Sequence, residues 1–288
     1  MIKSMISSAS KKNPLVSVIM PVYNAEAFLE DAIKSISNQT YKNFEMIIVD
    51  DASTDNSLCI IKRYKKKLPK KIKLITLKQR VNSAGEGASN IGISKASGSY
   101  IAKMDADDIS HPERLEKQVR YLESHPDVYL VGTHAFIINN NNNIIGKRTV
   151  PIKHDDILKE FYLRCPIISP SIMFRRNPSS SFFYDLRFRY LNEYFTLFKL
   201  ISSGKKIVNL PEVLYYYRVH GNNFIYSHIK ERFKTNLEVK NTFIREFNYQ
   251  PSPFHIASVY IQEMIIRLMP EKIVTSFFYK LGSVFHRM

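Results

Sequence analysis

The sequence YIAKMDADD, from Tyr100 to Asp108, joins an apolar run to three carboxylates within four residues. The apolar run is typical of a buried strand. Carboxylates this close together repel one another unless a cation or a hydrogen-bond network compensates their charge. Ligands of α/β proteins bind at the carboxyl ends of the strands. The stretch therefore predicts a ligand site with a divalent metal, and a solvated turn is the alternative interpretation.

The residues that follow the acids predict the start of a helix. The segment Ser110-His111-Pro112-Glu113 matches a capping box with proline in the first turn. A cap of this kind accounts for Ser110 and Glu113 but not for Asp105 and Asp107. The two aspartates therefore need another explanation.

Composition limits the class of protein. The 288 residues are 44% apolar, which is enough for a substantial core. Two cysteines fit no metal spacing and cannot form a disulfide framework, which indicates a reducing compartment. Residues 1–14 lack the apolar core of a secretory signal, and no run of about 18 apolar residues marks a membrane span. We therefore expect a cytoplasmic protein, free or attached to a membrane from the cytoplasmic side.

Strand-like and helix-like patterns alternate in the first half of the chain. The strand-like runs before Tyr100 are Val16–Met20, Phe44–Val49 and Ile72–Leu77. This alternation predicts an α/β fold with a mostly parallel sheet flanked by helices. Asp50 and Asp51 end the second strand, so they should lie at the same edge of the sheet as the later acids. The Gly-rich bend at 84–87 matches neither the dinucleotide-binding motif nor the P-loop.

Beyond residue 125 the pattern predicts a hairpin and a further helix. His134–Ile138 and Ile144–Val150 flank five consecutive asparagines, which tolerate turn conformations. Leu191–Ile201 has the apolar spacing of a helix. Glu193 lies at the margin of that apolar stripe and is a candidate base, although a surface acid is the commoner explanation for a lone glutamate.

A basic run between Lys62 and Arg80 contains ten lysines and arginines and no acid, in a chain of formal net charge +16. Such a patch attracts nucleic acid or anionic lipid, and a solvated helix end is equally consistent with it. The sequence contains no recognised nucleic-acid module, so no nucleic-acid partner is expected.

The C-terminal segment Glu271–Met288 has apolar residues on one helical face and basic residues beside them. This pattern is typical of an interfacial helix, and packing of the stripe on the protein's own core is the alternative. Together with the basic run, it predicts peripheral binding to an anionic membrane surface, the inner face of the plasma membrane.

The chain carries a series of motifs in a fixed order. They are SVIMPVYN at 17–24, SNQTY at 37–41, IVDDASTD at 48–55, NIGI at 90–93, GSYI at 98–101, MDADD at 104–108, HPER at 111–114 and LYYYRVH at 214–220. In these motifs the chain resembles the family-two inverting glycosyltransferases, which have the A-type nucleotide-diphospho-sugar transferase fold. The resemblance implies a tail at 1–14, a catalytic domain at 15–223 and a helical C-terminal extension at 224–288. Within the domain, 15–125 would bind the nucleotide sugar and 126–223 would face the acceptor.

The resemblance also implies roles for single residues. Pro21, Tyr23 and Asp51 would hold the nucleobase and ribose of a sugar nucleotide, usually a UDP-sugar. Asp105 and Asp107 match the family's Asp-x-Asp motif.

By this resemblance, Asp105 belongs to the nucleotide-sugar site and Asp107 is the more direct metal ligand. His220 is the second implied metal ligand. The ion, magnesium or manganese, would neutralise the diphosphate as it leaves.

The chain departs from the family pattern at two positions. Family members commonly have Glu-Asp-Tyr where this chain has Asn192-Glu193-Tyr194, so the resemblance implies that Glu193 is the general base. Glutamate can take the same proton, but its extra methylene moves the oxygens. The usual arginine before the Asn-x-Gly segment is replaced by Ser89.

The expected function is transfer of one sugar to a hydroxyl of a saccharide or lipid-linked saccharide, with inversion, in capsule, exopolysaccharide or lipo-oligosaccharide synthesis. The processive subclass carries a Gln-x-x-Arg-Trp motif, and this chain contains no tryptophan. Two alternatives stay open: a donor-binding but catalytically weak scaffold of a polysaccharide complex, and a basic nucleic-acid-binding protein.

Overall fold

The computed structural model describes residues 13–79, 85–179, 183–220 and 229–270. Its strands are β1 Val16–Val22, β2 Phe44–Asp50, β3 Ile72–Thr76, β4 Tyr100–Lys103, β5 Ile109–Ser110, β6 Val128–Ile138, β7 Ile144–Arg148, β8 Met173–Arg175 and β9 Lys206–Arg218. Its α-helices are α1 Leu29–Ser37, α2 Ser57–Lys67, α3 Glu86–Ser94, α4 Arg114–Ser124, α5 His154–Glu160, α6 Asn192–Ser202, α7 Ile229–Phe247 and α8 Pro253–Leu268. A 3-10 turn spans Ser169–Ser171.

The first half of the sheet is parallel, with strand order β3-β2-β1-β4. Helices connect these strands, which is the connection that parallel neighbours need. Strand β1 lies between β2 and β4, so the chain leaves all three strands at the same edge of the sheet. The predicted α/β class with flanking helices is confirmed.

The second half of the sheet is mixed. It continues from β4 in the order β8-β6-β9-β5, and β7 pairs with β6. Strands β6 and β9 are parallel, whereas β8 runs antiparallel to both β4 and β6. The predicted hairpin is confirmed, because β6 and β7 pair antiparallel around the turn at 139–143. Pairing is therefore parallel throughout only in the first half, where strand and helix alternate strictly.

The capping box predicted before α4 is wrong, although the helix begins where expected. Ser110 belongs to β5, pairs with Tyr215 and accepts a hydrogen bond from Gln39 Nε2 at 3.2 Å. Glu113 is the N-cap residue and makes no side-chain cap, and its backbone N–H donates to His111 Nδ1 at 3.2 Å. The serine hydroxyl is unavailable to the helix because sheet pairing has turned it into the core.

Apolar side chains cover both faces of the sheet. In β2, Met46 and Ile48 pack into the core beneath α1, α2 and α4, whereas Ile47 and Val49 pack into the core beneath α3, α5 and α6. Successive strand residues point to opposite faces, so this alternation requires a sheet buried on both sides. Polar and charged side chains are therefore concentrated at the edge where the strands end.

Two helices form the described part of the C-terminal extension. Helix α7 packs on α6 through Phe243, whose ring centroid lies 3.5 Å from that of Phe198. Helix α8 packs on α7 and ends at Leu268. In the residues that the structure describes, none of the helices has the length and apolarity to cross a bilayer. The predicted interfacial segment Glu271–Met288 lies outside the described residues, as do residues 1–12 and the expected domain boundary near Asn223.

Candidate active site

Pro21, Tyr23 and Asp51 lie together where β1 and β2 end. Pro21 is a β1 residue paired with Val49, and the Asp51 backbone N–H donates to the Val22 carbonyl at 2.8 Å. Asp51 is only 3% exposed, whereas Tyr23 is 39% exposed. The edge therefore combines a buried carboxylate with an exposed aromatic ring.

The turns after β1 and β2 are bonded to each other. Asn24 and Ala52 both have positive φ, 47° and 59°, which turns the chain sharply at each strand end. Asn24 Oδ1 accepts from the Thr54 backbone N–H at 2.8 Å, and the Asn24 N–H donates to Ser53 Oγ at 3.2 Å. These reciprocal bonds hold the two turns as one surface beside Asp51.

Three carboxylates meet where β4 ends. One oxygen from each of Asp105, Asp107 and Asp108 lies within 4.8 Å of the others. Burial, reinforced by the charge of Asp107 and opposed by Lys103, raises the pKa of Asp105 to about 6. Burial and the two neighbouring aspartates hold the pKa of Asp108 well above its ordinary value. Such a cluster concentrates negative charge that a cation would stabilise.

Arg218, the last residue of β9, holds the acidic turn in place. Its backbone N–H donates to Asp108 Oδ1 at 2.7 Å, and its Nε donates to the Asp107 carbonyl oxygen at 2.6 Å. Its Nη1 donates to the carbonyl of Asn139 in the hairpin turn at 2.9 Å. His220 Nε2 lies 3.0 Å from Asp107 Oδ2. The acids are thus positioned by the second half of the sheet.

Glu193 lies in the first turn of α6, where the helix dipole favours a carboxylate. Its Oε1 accepts hydrogen bonds from Lys103 Nζ at 3.0 Å and from the Tyr184 hydroxyl at 3.3 Å. Lys103 Nζ also lies 3.7 Å from Asp105 Oδ1. One ammonium therefore links the predicted base to the acidic cluster.

Glu86, the first residue of α3, is a further buried carboxylate near Glu193. Burial, and then the charge of Glu193, raise the pKa of Glu86 to about 8, while Lys103 opposes the shift. Glu86 Oε2 and the hydroxyl of Ser89 are buried and have no hydrogen-bond partner among the described residues. Ser89 lies one turn after Glu86, so the start of α3 carries two buried polar side chains with oxygens that are unpartnered within the described residues.

The predicted residues lie at one edge of the sheet or contact it. They are Pro21, Tyr23 and Asp51 after β1 and β2, Asp105 and Asp107 after β4, His220 after β9, and Glu193 on α6. Sequence reasoning missed the roles of Lys103, Glu86 and Arg218. The sequence contained a signal for two of them. Lys103 is the one charged residue in the run 100–104, and Glu86 is an acid between two glycines.

Comparison with known proteins identifies the family. Residues 17–183, more than half of the chain, match the model of glycosyl transferase family 2. An uncharacterized glycosyltransferase of Haemophilus influenzae is 34% identical over 239 residues, which cover 79% of this chain and 72% of that protein. The amylovoran biosynthesis glycosyltransferase AmsE of Erwinia amylovora is 29% identical over 272 residues, 90% of this chain and 96% of that protein.

Solved structures support the same fold. Staphylococcus aureus TarS in complex with UDP-GlcNAc superposes with a TM-score of 0.64 at 19% identity, over 86% of this chain and 71% of that one. The mannosyltransferase PcManGT of Pyrobaculum calidifontis, in complex with GDP-Man and Mn2+, gives a TM-score of 0.58 at 17% identity, over 95% and 86%. The fold is the A-type glycosyltransferase fold. The chain belongs to glycosyl transferase family 2 and is a glycosyltransferase that acts on nucleotide sugars.

The raised pKa of Glu86 predicts a pH-dependent stability. The folded state retains the Glu86 proton up to a pH of about 8, so ionisation opposes folding as pH rises from the ordinary glutamate pKa of 4.5. Glu86→Gln should therefore gain stability relative to the parent between pH 5 and pH 8, on the order of 1–3 kcal/mol. Denaturant unfolding at both pH values measures the difference. Glu238→Gln, on the exposed face of α7, is the control, and an equal pH response in both variants would contradict the assignment.

Proposed function

We propose that the protein transfers a single sugar from a UDP-sugar to an acceptor hydroxyl with inversion of configuration. The observation that carries the proposal is that Lys103 Nζ lies 3.0 Å from Glu193 and 3.7 Å from Asp105. A carboxylate able to accept a proton thus adjoins the carboxylates suited to the donor diphosphate. Direct displacement needs both groups at the reacting centre.

Pro21, Tyr23 and Asp51 are the proposed nucleoside site. The buried Asp51 carboxylate offers acceptors for N–H or O–H groups, and the Tyr23 ring offers a face for a flat base. The likeness to TarS, solved with UDP-GlcNAc, supports uridine as the nucleoside.

The acidic cluster fits a divalent metal. Carboxylate oxygens of Asp105, Asp107 and Asp108 are the hard ligands that magnesium and manganese prefer, and Asp108 Oδ2 is buried without a hydrogen-bond partner among the described residues. Asp107 is the proposed direct ligand, with His220 in contact with it. A bound ion would neutralise the charge that develops on the leaving diphosphate.

Glu193 is the proposed general base. It takes the proton from the acceptor hydroxyl, whose oxygen then attacks the anomeric carbon from the side opposite the diphosphate. The attack forms one glycosidic bond as the bond to the diphosphate breaks, so the anomeric configuration inverts. The neighbouring Tyr184 hydroxyl and Lys103 ammonium hold the carboxylate during the transfer.

Surface-polysaccharide assembly is the proposed context. The similarity to AmsE, an amylovoran biosynthesis glycosyltransferase, supports a role in capsule, exopolysaccharide or lipo-oligosaccharide synthesis. The acceptor is then a saccharide or a lipid-linked saccharide.

Metal removal should abolish transfer. EDTA on the parent, or the variant Asp107→Asn, is expected to lower nucleoside diphosphate release from a UDP-sugar panel by about 10²-fold or more, because the diphosphate loses its counterion. Manganese should restore the parent but not the variant. Asp127→Asn, which removes only an exposed ion pair with Lys206, should keep full activity. Full activity of the parent in EDTA would rule out the metal.

Loss of the base should reduce turnover and leave donor binding intact. Glu193→Gln is expected to lower kcat by about 10²-fold or more with the donor KM nearly unchanged. The exposed Glu212→Gln is the matched control. NMR of the product should show the anomeric configuration opposite to that of the donor. Parent-like turnover of Glu193→Gln would assign the base elsewhere, and donor binding without any transfer by the parent would favour a scaffold.

We further propose that the protein is cytoplasmic and binds the inner face of the plasma membrane. Helix α8 exposes Phe254, Ile261, Met264 and Leu268 along one face, and both end residues are 77% exposed. An apolar helix face of this kind lies well in a bilayer interface. Helix α2 and the turn after it add exposed cations for anionic lipid: Lys62, Lys65, Lys66 and Lys70, which make no ion pair with any described residue.

Vesicle binding tests the membrane proposal. The parent should sediment with vesicles that contain phosphatidylglycerol and much less with neutral vesicles, and added salt should weaken binding. Ile261→Ser with Leu268→Ser, and separately Lys65→Gln with Lys66→Gln, should each reduce binding by about tenfold. Lys159→Gln with Lys117→Gln is the charge control outside both surfaces. Equal binding to both vesicles, or none at low salt, would refute the proposal.

A further inference from the structure

Lys103 is a largely buried cation on which several side chains of the candidate active site converge. It ends β4, and its side chain is only 12% exposed. Its Nζ lies 3.0 Å from Glu193 Oε1 and 3.7 Å from Asp105 Oδ1, and it donates to Ser169 Oγ at 3.1 Å. The Tyr184 ring centroid lies 5.9 Å away.

The surroundings keep this lysine charged. The carboxylates of Asp105 and Glu193 both pair with the ammonium and compensate its charge. A buried cation is costly unless it is paired and hydrogen-bonded, and Lys103 has both kinds of partner. The charged ammonium therefore has a fixed place in the candidate active site.

The two oxygens of Glu193 have different environments. Oε1 accepts from both Lys103 Nζ and the Tyr184 hydroxyl, whereas Oε2 accepts no hydrogen bond from the described residues. Two donors on one oxygen restrict rotation of the carboxylate. Oε2 is the oxygen that is available to an incoming hydroxyl.

We propose that Lys103 is a positioning residue. Its ammonium anchors Glu193 Oε1, so that Oε2 receives the acceptor proton. Its contact with Asp105 aligns the base with the site of the donor diphosphate. The inference rests on the proposed function, because it assigns Lys103 a task in the same transfer. The competing role is direct binding of the donor phosphates by the ammonium.

A double-mutant cycle separates the two roles. Lys103→Met should lower kcat for transfer by about tenfold or more with the donor KM within about threefold, since a displaced base costs turnover and not affinity. In a Glu193→Gln background, Lys103→Met should change kcat less than about twofold, because the group that it positions is already lost. Additive losses, or a raised donor KM at unchanged kcat, would overturn the proposal.

Further variants guard against a simple loss of fold. Lys103→Arg keeps the charge and should recover part of the lost kcat, and thermal unfolding checks each protein. Ser169→Ala removes a lysine partner that does not touch Glu193, so kcat should fall less than about threefold. Failure of Lys103→Arg to exceed Lys103→Met would count against positioning.

A crystal structure of Lys103→Met gives a result that does not depend on activity. The Glu193 carboxylate should leave the position that it holds in the parent, since its charged donor is gone. If it moves while the parent transfers no sugar to any acceptor, the proposed function fails and only the anchoring of the Glu193 carboxylate by Lys103 stands. If it stays in place, the inference is wrong even for an active enzyme.

Discussion

Parallel pairing of β1 with both β2 and β4 is the constraint on which the rest of the structure depends. Parallel neighbours end at the same edge, so the turns that carry Asp51 and Asp105 are brought close together although they are far apart in sequence. Both faces of these strands are covered by apolar side chains. Charged groups can then gather only at the strand ends, which is where ligands of α/β proteins bind.

Among the residues that the structure describes, Arg218 and Lys103 contact the acids at that edge and compensate part of their charge. Arg218 holds the backbone and one carboxylate of the acidic turn, and Lys103 pairs with Asp105 and Glu193. Buried ion pairs contribute little net stability, but removing one partner is costly because the other charge remains buried. The two cations therefore fix the positions of the acids and add little to the free energy of unfolding. This arrangement suits a site that binds a charged donor.

The mixed second half of the sheet contributes site residues that are far in sequence from the acidic turn. Strand β9 runs beside β6 and delivers Arg218 and His220 to the acidic turn. Helix α6 carries Glu193 and is supported from behind by α7 through the stacked rings of Phe198 and Phe243. The C-terminal helices thus contribute to the rigidity of the helix that carries the proposed base.

Local patterns in the sequence were sufficient to predict the α/β class, the hairpin, helix α6 and the acidic edge, since each depends on periodicity or on residues adjacent in the chain. The family motifs implied the remaining site residues and the transfer of a sugar from a nucleotide sugar. Only the tertiary structure revealed that Ser110 enters a strand, that Arg218 clamps the acidic turn, and that Lys103 joins Glu193 to Asp105. These three facts depend on contacts between residues that are distant in sequence. The energy of such a contact is set by the burial of the two groups and the distance between them, and neither can be read from a local sequence pattern.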